Sequence, residues 1–380
     1  MDALLNEKLQ NIEWGEYRIG DLFDGESGDF DIQKDHINDL GEYVITAGLT
    51  NNGVLGKSDV NAKIIDRNTI TVDMFGYSFF RQFKYKIVTH ARVFALIPKF
   101  EISRNIGVSI TSALSYLPSL FGYQNMCSWN KIKDLKIKLP SKNGKINYEF
   151  MESFVAELEA QRVAELEAYL NVTGLKDYKL NDEEINAIYN LEKVEWHEFK
   201  MGDLFERIKT KKLPYKAKEL PKEPKDNYIL PLLTSSFMNQ GLNYYAPETN
   251  ATVLKNVISI PSNSDVYRSY YQSREFSVLS DAYAIEWKNK EIELSPNGYL
   301  FSVSCINKVT DLPIYSYKNK LGGWNVVKNK YIKLPVDSNG EIDFNYMENL
   351  TQAIKKLVIK DLVIYTDRKI EVTKKVINKK

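Results

Sequence analysis

The chain has 380 residues, 43% of them hydrophobic, with 51 Lys/Arg against 50 Asp/Glu; it can hold two or three domains with real cores, and its near-neutral balance excludes an indiscriminate polyanion binder while leaving local DNA contacts open. Two cysteines exclude a disulfide framework and a cysteine-rich zinc site. No apolar run approaches the roughly 20 residues of a membrane span, and residues 1–20 lack a signal peptide's apolar centre, so cytoplasm is the expected location.

The first distinctive phrase is "EWGEYRIGDLFD", Glu13 to Asp24. Ile70, Val72 and Met74 then alternate with Thr69, Thr71 and Asp73, the pattern of a half-buried strand. Arg92 to Pro98 reads as a strand, Asn105 to Leu117 as a helix, and "KIKLP" as a strand that closes the sheet, with its proline at an edge or exit. Asn147 to Leu170 reads as a helix with a stripe of Met151, Val155, Leu158, Leu166 and Tyr169. It carries six glutamates against one base, Arg162. The Gly and Asn/Asp residues of "NVTGLKDYKLNDEE" (Asn171 to Glu184) break it, and a shorter helix starts near Asp182, capped by Asp182 or Asn181.

The opening phrase then returns as "EWHEFKMGDLFE", Glu195 to Glu206, with seven of twelve positions identical. The basic run "RIKTKKLPYKAK" (Arg207 to Lys218) follows, holding six bases and no acid. "TAGLTNNG" (Thr46 to Gly53) is answered by "TSSFMNQG" (Thr234 to Gly241), and "NTITV" (Asn68 to Val72) by "NVISI" (Asn256 to Ile260), both at a separation of 188. Ala282 to Trp287 reads as a strand. "WNKIKDLKIKLP" (Trp129 to Pro140) is answered by "WNVVKNKYIKLP" (Trp324 to Pro335), and "NGKINYEFME" by "NGEIDFNYME". Asp343 to Lys380 closes the chain with nine bases and five acids and a stripe of Leu350, Ile354, Leu357, Leu362 and Tyr365.

The chain is thus two copies of one unit, each followed by a helix. The ends of the copies agree while the middles differ in sequence and length. One scaffold carrying two recognition surfaces gives that pattern; so does neutral drift of a duplicated domain. Opposite charge and matching stripes suggest that the two helices pair with each other, antiparallel if the units are related by a pseudo-twofold axis. The alternative is that each packs on its own domain.

Catalytic signatures are missing. "GKS" at Gly56 to Ser58 lacks the first glycine of a phosphate loop, since Asn51 stands there. "EFK" at Glu198 to Lys200 resembles half of a nuclease metal site but sits inside the repeated phrase, opposite "EYR". His36, His90 and His197 form no metal-ligand pattern, and no Asp/Asn-Pro-Pro-Tyr/Phe segment of an amino-methyltransferase occurs.

The tryptophan-led openings ending "IGDLF" and "MGDLF", the "TAGLTNNG" segment and the "WN…KLP" exit into a helix, in this order twice over, resemble the specificity subunit of type I restriction-modification enzymes. They also resemble the similar subunit of type IIB systems. The resemblance implies an α/β fold with two tandem target-recognition domains with curved β-sheets, separated by long helices. The boundaries it suggests are 1–145 for the first domain, 146–193 for a spacer region, 194–342 for the second domain and 343–380 for the last helix. It implies a non-catalytic subunit that reads a bipartite target on double-stranded DNA and docks two methyltransferase subunits, with or without a restriction subunit. No cofactor would sit on this chain; S-adenosylmethionine would come with the partner. A tandem carbohydrate- or protein-binding module is the alternative reading.

Base-edge readers are then expected among Arg, Lys, Asn, Gln and Tyr on loops of the divergent middles. In the first unit these are Asn51, Lys57, Tyr77, Arg81, Lys84 and Gln124. In the second they are Asn239, Tyr267, Arg268, Arg274, Lys318 and Lys320, with Lys209, Lys211 and Lys212 on phosphates. Interleaved aromatics and bases in "GYSFFRQFKYK" and "SDVYRSYYQSRE" support the grouping, although core packing is the other use of those aromatics. Leu158, Leu166, Leu350, Ile354 and Leu357 are the expected helix-pair interface.

Overall fold

The structure, a computed structural model, describes residues 3–262, 264, 267–314, 318–319 and 321–377, with side chains as far as 372. It divides into two compact units: one holds Leu170–Tyr365, the other the chain before it together with the stretch from Thr366 on.

Helix α1 (Ala3–Asn11) opens the first unit and leads into the strand Glu13–Arg18. That strand runs antiparallel to Lys136–Lys142, with Trp14 opposite Pro140 and Arg18 opposite Lys136. In the second unit Glu195–Lys200 pairs with Tyr331–Val336, and Trp196 again faces the proline, Pro335. The two repeated phrases at the ends of each unit are therefore the two strands of one ladder. The prolines lie inside these strands and have no N–H to give. Their carbonyls accept from Asn147 and Asp343, at 2.8 and 3.0 Å, just where the closing helices begin.

A single helical turn follows each opening strand, Ile19–Leu22 and Met201–Leu204. Here Gly20 N–H donates to Lys133 O (2.7 Å) and Gly202 N–H to Lys328 O (2.8 Å). A Cβ would stand 2.8 Å from the first carbonyl and 3.0 Å from the second. The glycine of both "GDLF" phrases is thus required by a backbone approach across the ladder.

The next sheet of the first unit is antiparallel, in the order Phe23–Ser27, Phe94–Pro98, Thr69–Val72, Ser78–Arg81. A third sheet holds Val54–Ser58, Glu42–Ile45 and Tyr85–Ile87, its last pair parallel. The second unit repeats both orders with Phe205–Arg207, Ala282–Trp287, Val257–Pro261, Tyr270–Gln272 and with Leu242–Ala246, Leu230–Leu233, Ser277–Val278. Thr69–Val72 is buried along its whole length rather than on alternate residues. Its threonines are tolerated inside because Thr69 Oγ1 shares a proton with the Tyr85 hydroxyl (2.7 Å) and Thr71 Oγ1 accepts from Arg81.

Helix α2 (Arg104–Ala113) covers this sheet, capped by Ser103, and ends before the expected Leu117, where a tight turn containing Pro118 takes over. Helices α3 (Tyr148–Val172) and α4 (Asp182–Tyr189) follow, α4 starting in a capping box between Asn181 and Glu184. Helix α5 (Pro296–Thr310) is the second unit's counterpart of α2, and α6 (Phe344–Ile377) closes the described chain. The glutamate shared by "FME" and "YME" has one task in both units. Glu152 accepts from Ser103 and Asn105, and Glu348 from Ser295 and Asn297, which ties each closing helix to the start of the helix on the sheet.

The opening helices pack on the closing ones within their own units, with the charges exchanged. Lys8 of α1 bridges to Glu157 of α3. In the second unit Glu184 of α4 bridges to Lys356 of α6 (3.0 Å), which also meets Asp177 (3.0 Å) and the Lys179 carbonyl. Burial alone would lower the pKa of Lys356, but hydrogen bonds to Glu184 and Asp177 raise it.

The apolar stripe of α6 is not the expected one. Met347, Leu350, Ala353, Lys356, Val363 and Thr366 are buried, whereas Ile354 is 51% and Leu357 49% exposed. Met347 and Leu350 belong to the core of their own unit and fix the phase, which runs on in steps of three through Ala353 and Lys356. Leu350 is therefore a core residue rather than a helix-pair residue, and Ile354 and Leu357 face solvent. On α3, Leu158 and Leu166 are half-buried. The expected charge match is present at one point: within the first unit Lys369 lies 3.6 Å from Glu159 of α3, which Arg104 also bridges.

Lys356→Met should destabilise the second unit by about 3–5 kcal/mol, because Glu184 is left buried without its cation. Lys356→Met together with Glu184→Met should recover most of that loss in a thermal or urea unfolding measurement. A single variant as stable as the parent would show that the pair does not hold α4 on α6.

Candidate nucleic-acid interface

At the tip of the third sheet each unit carries the same unusual turn. Asn51, Asn52 and Gly53 have φ of 46°, 52° and 73°; Asn239, Gln240 and Gly241 have 47°, 55° and 94°. Two successive non-glycine residues in the left-handed region cost roughly 1 kcal/mol each, somewhat less for asparagine, whose short amide tolerates it. The same closure spans both turns: Thr46 N–H donates to Gly53 O (2.8 Å) and Thr234 N–H to Gly241 O (2.9 Å). A register shift lies at the base of each, between Val44 and Ile45 and between Leu232 and Leu233. Asn51, Asn52, Asn239 and Gln240 are exposed. Asn51 donates to Val54 O, while no hydrogen-bond partner is seen among the described residues for the side-chain amides of Asn52, Asn239 and Gln240.

Arg81 lies beneath the first turn and is only 2% exposed. Its Nε donates to Thr71 Oγ1 (2.9 Å) and its Nη2 to the Asn52 carbonyl (2.7 Å), with the guanidinium 5.0 Å over the Phe79 ring. Burial lowers its pKa to about 10, and the nearby Tyr85 opposes that shift, so the group stays charged at neutral pH. Arg81 is therefore corrected from an exposed base reader to an internal clamp, with two of its donors bonded within the fold.

The second unit has the same clamp built from a different residue. Gln272 faces Val257 as Arg81 faces Thr69. Its amide donates to Ser259 Oγ (3.0 Å) and to the Gln240 carbonyl (3.3 Å). Asn52, Gln240 and Gln272 were missed in the sequence. The aligned "NNG" and "NQG" would have pointed to the first two.

Tyr267 is the second correction: at 1% exposure it cannot reach a base. Its ring lies on Gly322, where a Cβ would stand 1.5 Å from the ring carbon Cε1. The remaining candidates stay at the surface. Lys57 sits 4.9 Å over the Tyr43 ring, and half-buried Tyr77 donates its N–H to Asp73. Lys84 is exposed, 3.9 Å from Asp66. Gln124 edges a cavity of about 840 Å³ together with Arg92, Trp129 and Lys131. Lys209, Lys211, Lys212, Arg274 and Lys318 are exposed. Arg268 is half-exposed and held by Asp311 (2.7 Å), which raises its pKa. Lys320 lies outside the described residues.

No cluster of three or more His, Cys, Asp or Glu able to hold a metal occurs among the described residues, and none of their helices is long and apolar enough to cross a membrane. Cys127 and Cys305 are buried; burial pushes their thiols up to about 12 and about 11.

Gly322→Val should lower the melting temperature of the second unit by at least several degrees, since Tyr267 must leave its site. Unchanged melting would refute the packing role given to Tyr267.

The model of the type I restriction modification DNA specificity domain matches this chain twice, over residues 11–168 and 193–363. The chain is similar to the specificity subunit S.BcgI of a type II restriction enzyme from Heyndrickxia coagulans, at 23% identity over 351 residues, or 92% of this chain and 96% of that protein. In fold it is similar to the crystal structure of a type I restriction-modification S subunit from M. genitalium, with a TM-score of 0.58 and 17% identity across 96% of this chain and 94% of that one.

Proposed function

The chain belongs to the family of type I restriction modification DNA specificity domains, and from that premise we propose that it reads a two-part target on double-stranded DNA, one half-site per unit, for a methyltransferase complex. The observation that carries this reading is that the family model matches each copy separately while the loops between the shared ends differ. Two scaffolds of one kind suit two half-sites, and different middles suit different bases. The carbohydrate- or protein-binding alternative has no support in these matches.

Chemistry would come from the partners. Methylation subunits bring S-adenosylmethionine; this chain supplies position. Their docking surface is the run of apolar side chains that α6 leaves in solvent, with Ile354, Leu357 and Val358 between 49% and 78% exposed. Exposed lysines such as Lys84, Lys209, Lys211 and Lys212 suit phosphates, and they add salt-dependent affinity without sequence preference. Whether the complex also cuts, as type I or type IIB enzymes do, lies with those partners.

The purified chain with S-adenosylmethionine should transfer no methyl group to DNA. Mixed with its methylation subunit it should restore adenine methylation at a bipartite sequence, read by methylation mapping. Methyl transfer by the chain alone, or a target of one continuous block, would refute the proposal.

The helices set the spacing in this reading. Helix α3 has 25 residues and spans roughly 37 Å at about 1.5 Å per residue, close to one turn of B-DNA at roughly 34–36 Å. Half-sites centred about one turn apart leave a non-specific spacer of roughly 6 bp. Inserting about 5 bp into the DNA spacer turns one half-site to the opposite face and should abolish binding. Two extra helical turns, about 11 Å, should lengthen the preferred spacer by about 3 bp. A preferred spacer indifferent to helix length would show that the helices do not measure it.

A further inference from the structure

The two left-handed turns differ at their tips and agree in their foundations. The carbonyl of the second left-handed residue, Asn52 or Gln240, is held by a side chain from the same register position, Arg81 or Gln272. The same side chain also takes the hydroxyl of the neighbouring strand, Thr71 or Ser259. Burying a guanidinium with no carboxylate bridge among the described residues is costly. So is holding four non-glycine residues at positive φ on an exposed surface. What both achieve is to fix exposed amides, each with a donor and an acceptor, on a rigid base.

We propose that Arg81 and Gln272 are positioning residues for DNA reading: each locks its turn so that the amide of Asn52, or those of Asn239 and Gln240, stand ready for base edges. The chemistry fits adenine, whose major-groove edge offers one acceptor and one donor to a single Asn or Gln amide. The clamps act through the backbone and touch no base. A fixed amide loses little freedom on contact, whereas a free turn would spread its amides over many directions. Because glutamine performs in one unit what arginine performs in the other, the positive charge is not what the clamp needs. Two donors of the right reach suffice.

This inference rests on the proposed DNA-reading role and is tested in the complete complex with its methylation subunits, by methylation profiling over a library of sites randomised in each half separately. Arg81→Met removes both donors while keeping an unbranched apolar stem. It should relax the half-site read by the first unit about tenfold or more in base discrimination, with the other half-site unchanged. Arg81→Gln should restore discrimination to within a few-fold of the parent. Gln272→Met should give the mirror result on the second half-site. Should Arg81→Met fail to fold, Gln272→Met and the tip variants Asn52→Ala and Gln240→Ala decide the matter, each expected to relax its own half-site alone. Native discrimination in the folded variants would overturn the inference, as would equal loss at both half-sites or failure of Arg81→Gln to rescue. A parent complex with no bipartite preference would instead overturn the DNA-reading role itself.

Discussion

Each unit depends on one antiparallel ladder between its opening strand and a strand near its end. Glu13–Arg18 on Lys136–Lys142, and Glu195–Lys200 on Tyr331–Val336, bring together segments more than a hundred residues apart. The loop-closure entropy grows only slowly with loop length. A fixed ladder at the ends therefore lets the intervening chain change in length at small cost. That is how two copies can share their ends and differ in their middles. The ladder also sets where the closing helix leaves, because the proline carbonyls of Pro140 and Pro335 take the N–H of Asn147 and Asp343.

From that closure the recognition surface is built outward. The ladder places the covering helices α2 and α5; Glu152 and Glu348 fix their first turns; the edge strands beneath them, Ser78–Arg81 and Tyr270–Gln272, carry the clamps. The left-handed turns sit at the far end of this chain of supports. Arg81 is the instructive case. An arginine in an aromatic-rich loop reads as a DNA contact, yet the side chain is buried and gives its Nε and Nη2 donors to the fold. Its influence on the surface passes through the Asn52 carbonyl.

The helices show the same logic in charge. Lys8 of α1, a helix with no net charge, meets acidic α3, and acidic α4 meets basic α6. Exchanging the two opening helices would set like charge against like, most sharply at Lys356, whose side chain is only 9% exposed. Each closing helix thus favours its own opening helix, a pairing rule written in the exposed Lys8–Glu157 pair weakly and in the buried Lys356–Glu184 pair strongly.

The sequence by itself determined the twofold organisation, the family resemblance, the closing strands and the breaks around α3 and α4. These rest on repeated phrases and on Gly, Pro and Asn, whose backbone preferences act locally. The tertiary structure alone decided which face of α6 is buried. The periodic stripe of Ile354, Leu357, Leu362 and Tyr365 is as apolar as the buried one, and only the docking of Met347 and Leu350 in their own core chose between them. It also decided the fates of Arg81 and Tyr267. Whether a long polar or aromatic side chain faces water or a carbonyl twenty or more residues away is set by strand pairing, here Thr69 with Arg81, and by close approaches such as that of Gly322 to the Tyr267 ring. Those distances are long in the chain and short in space, and local pattern does not encode them.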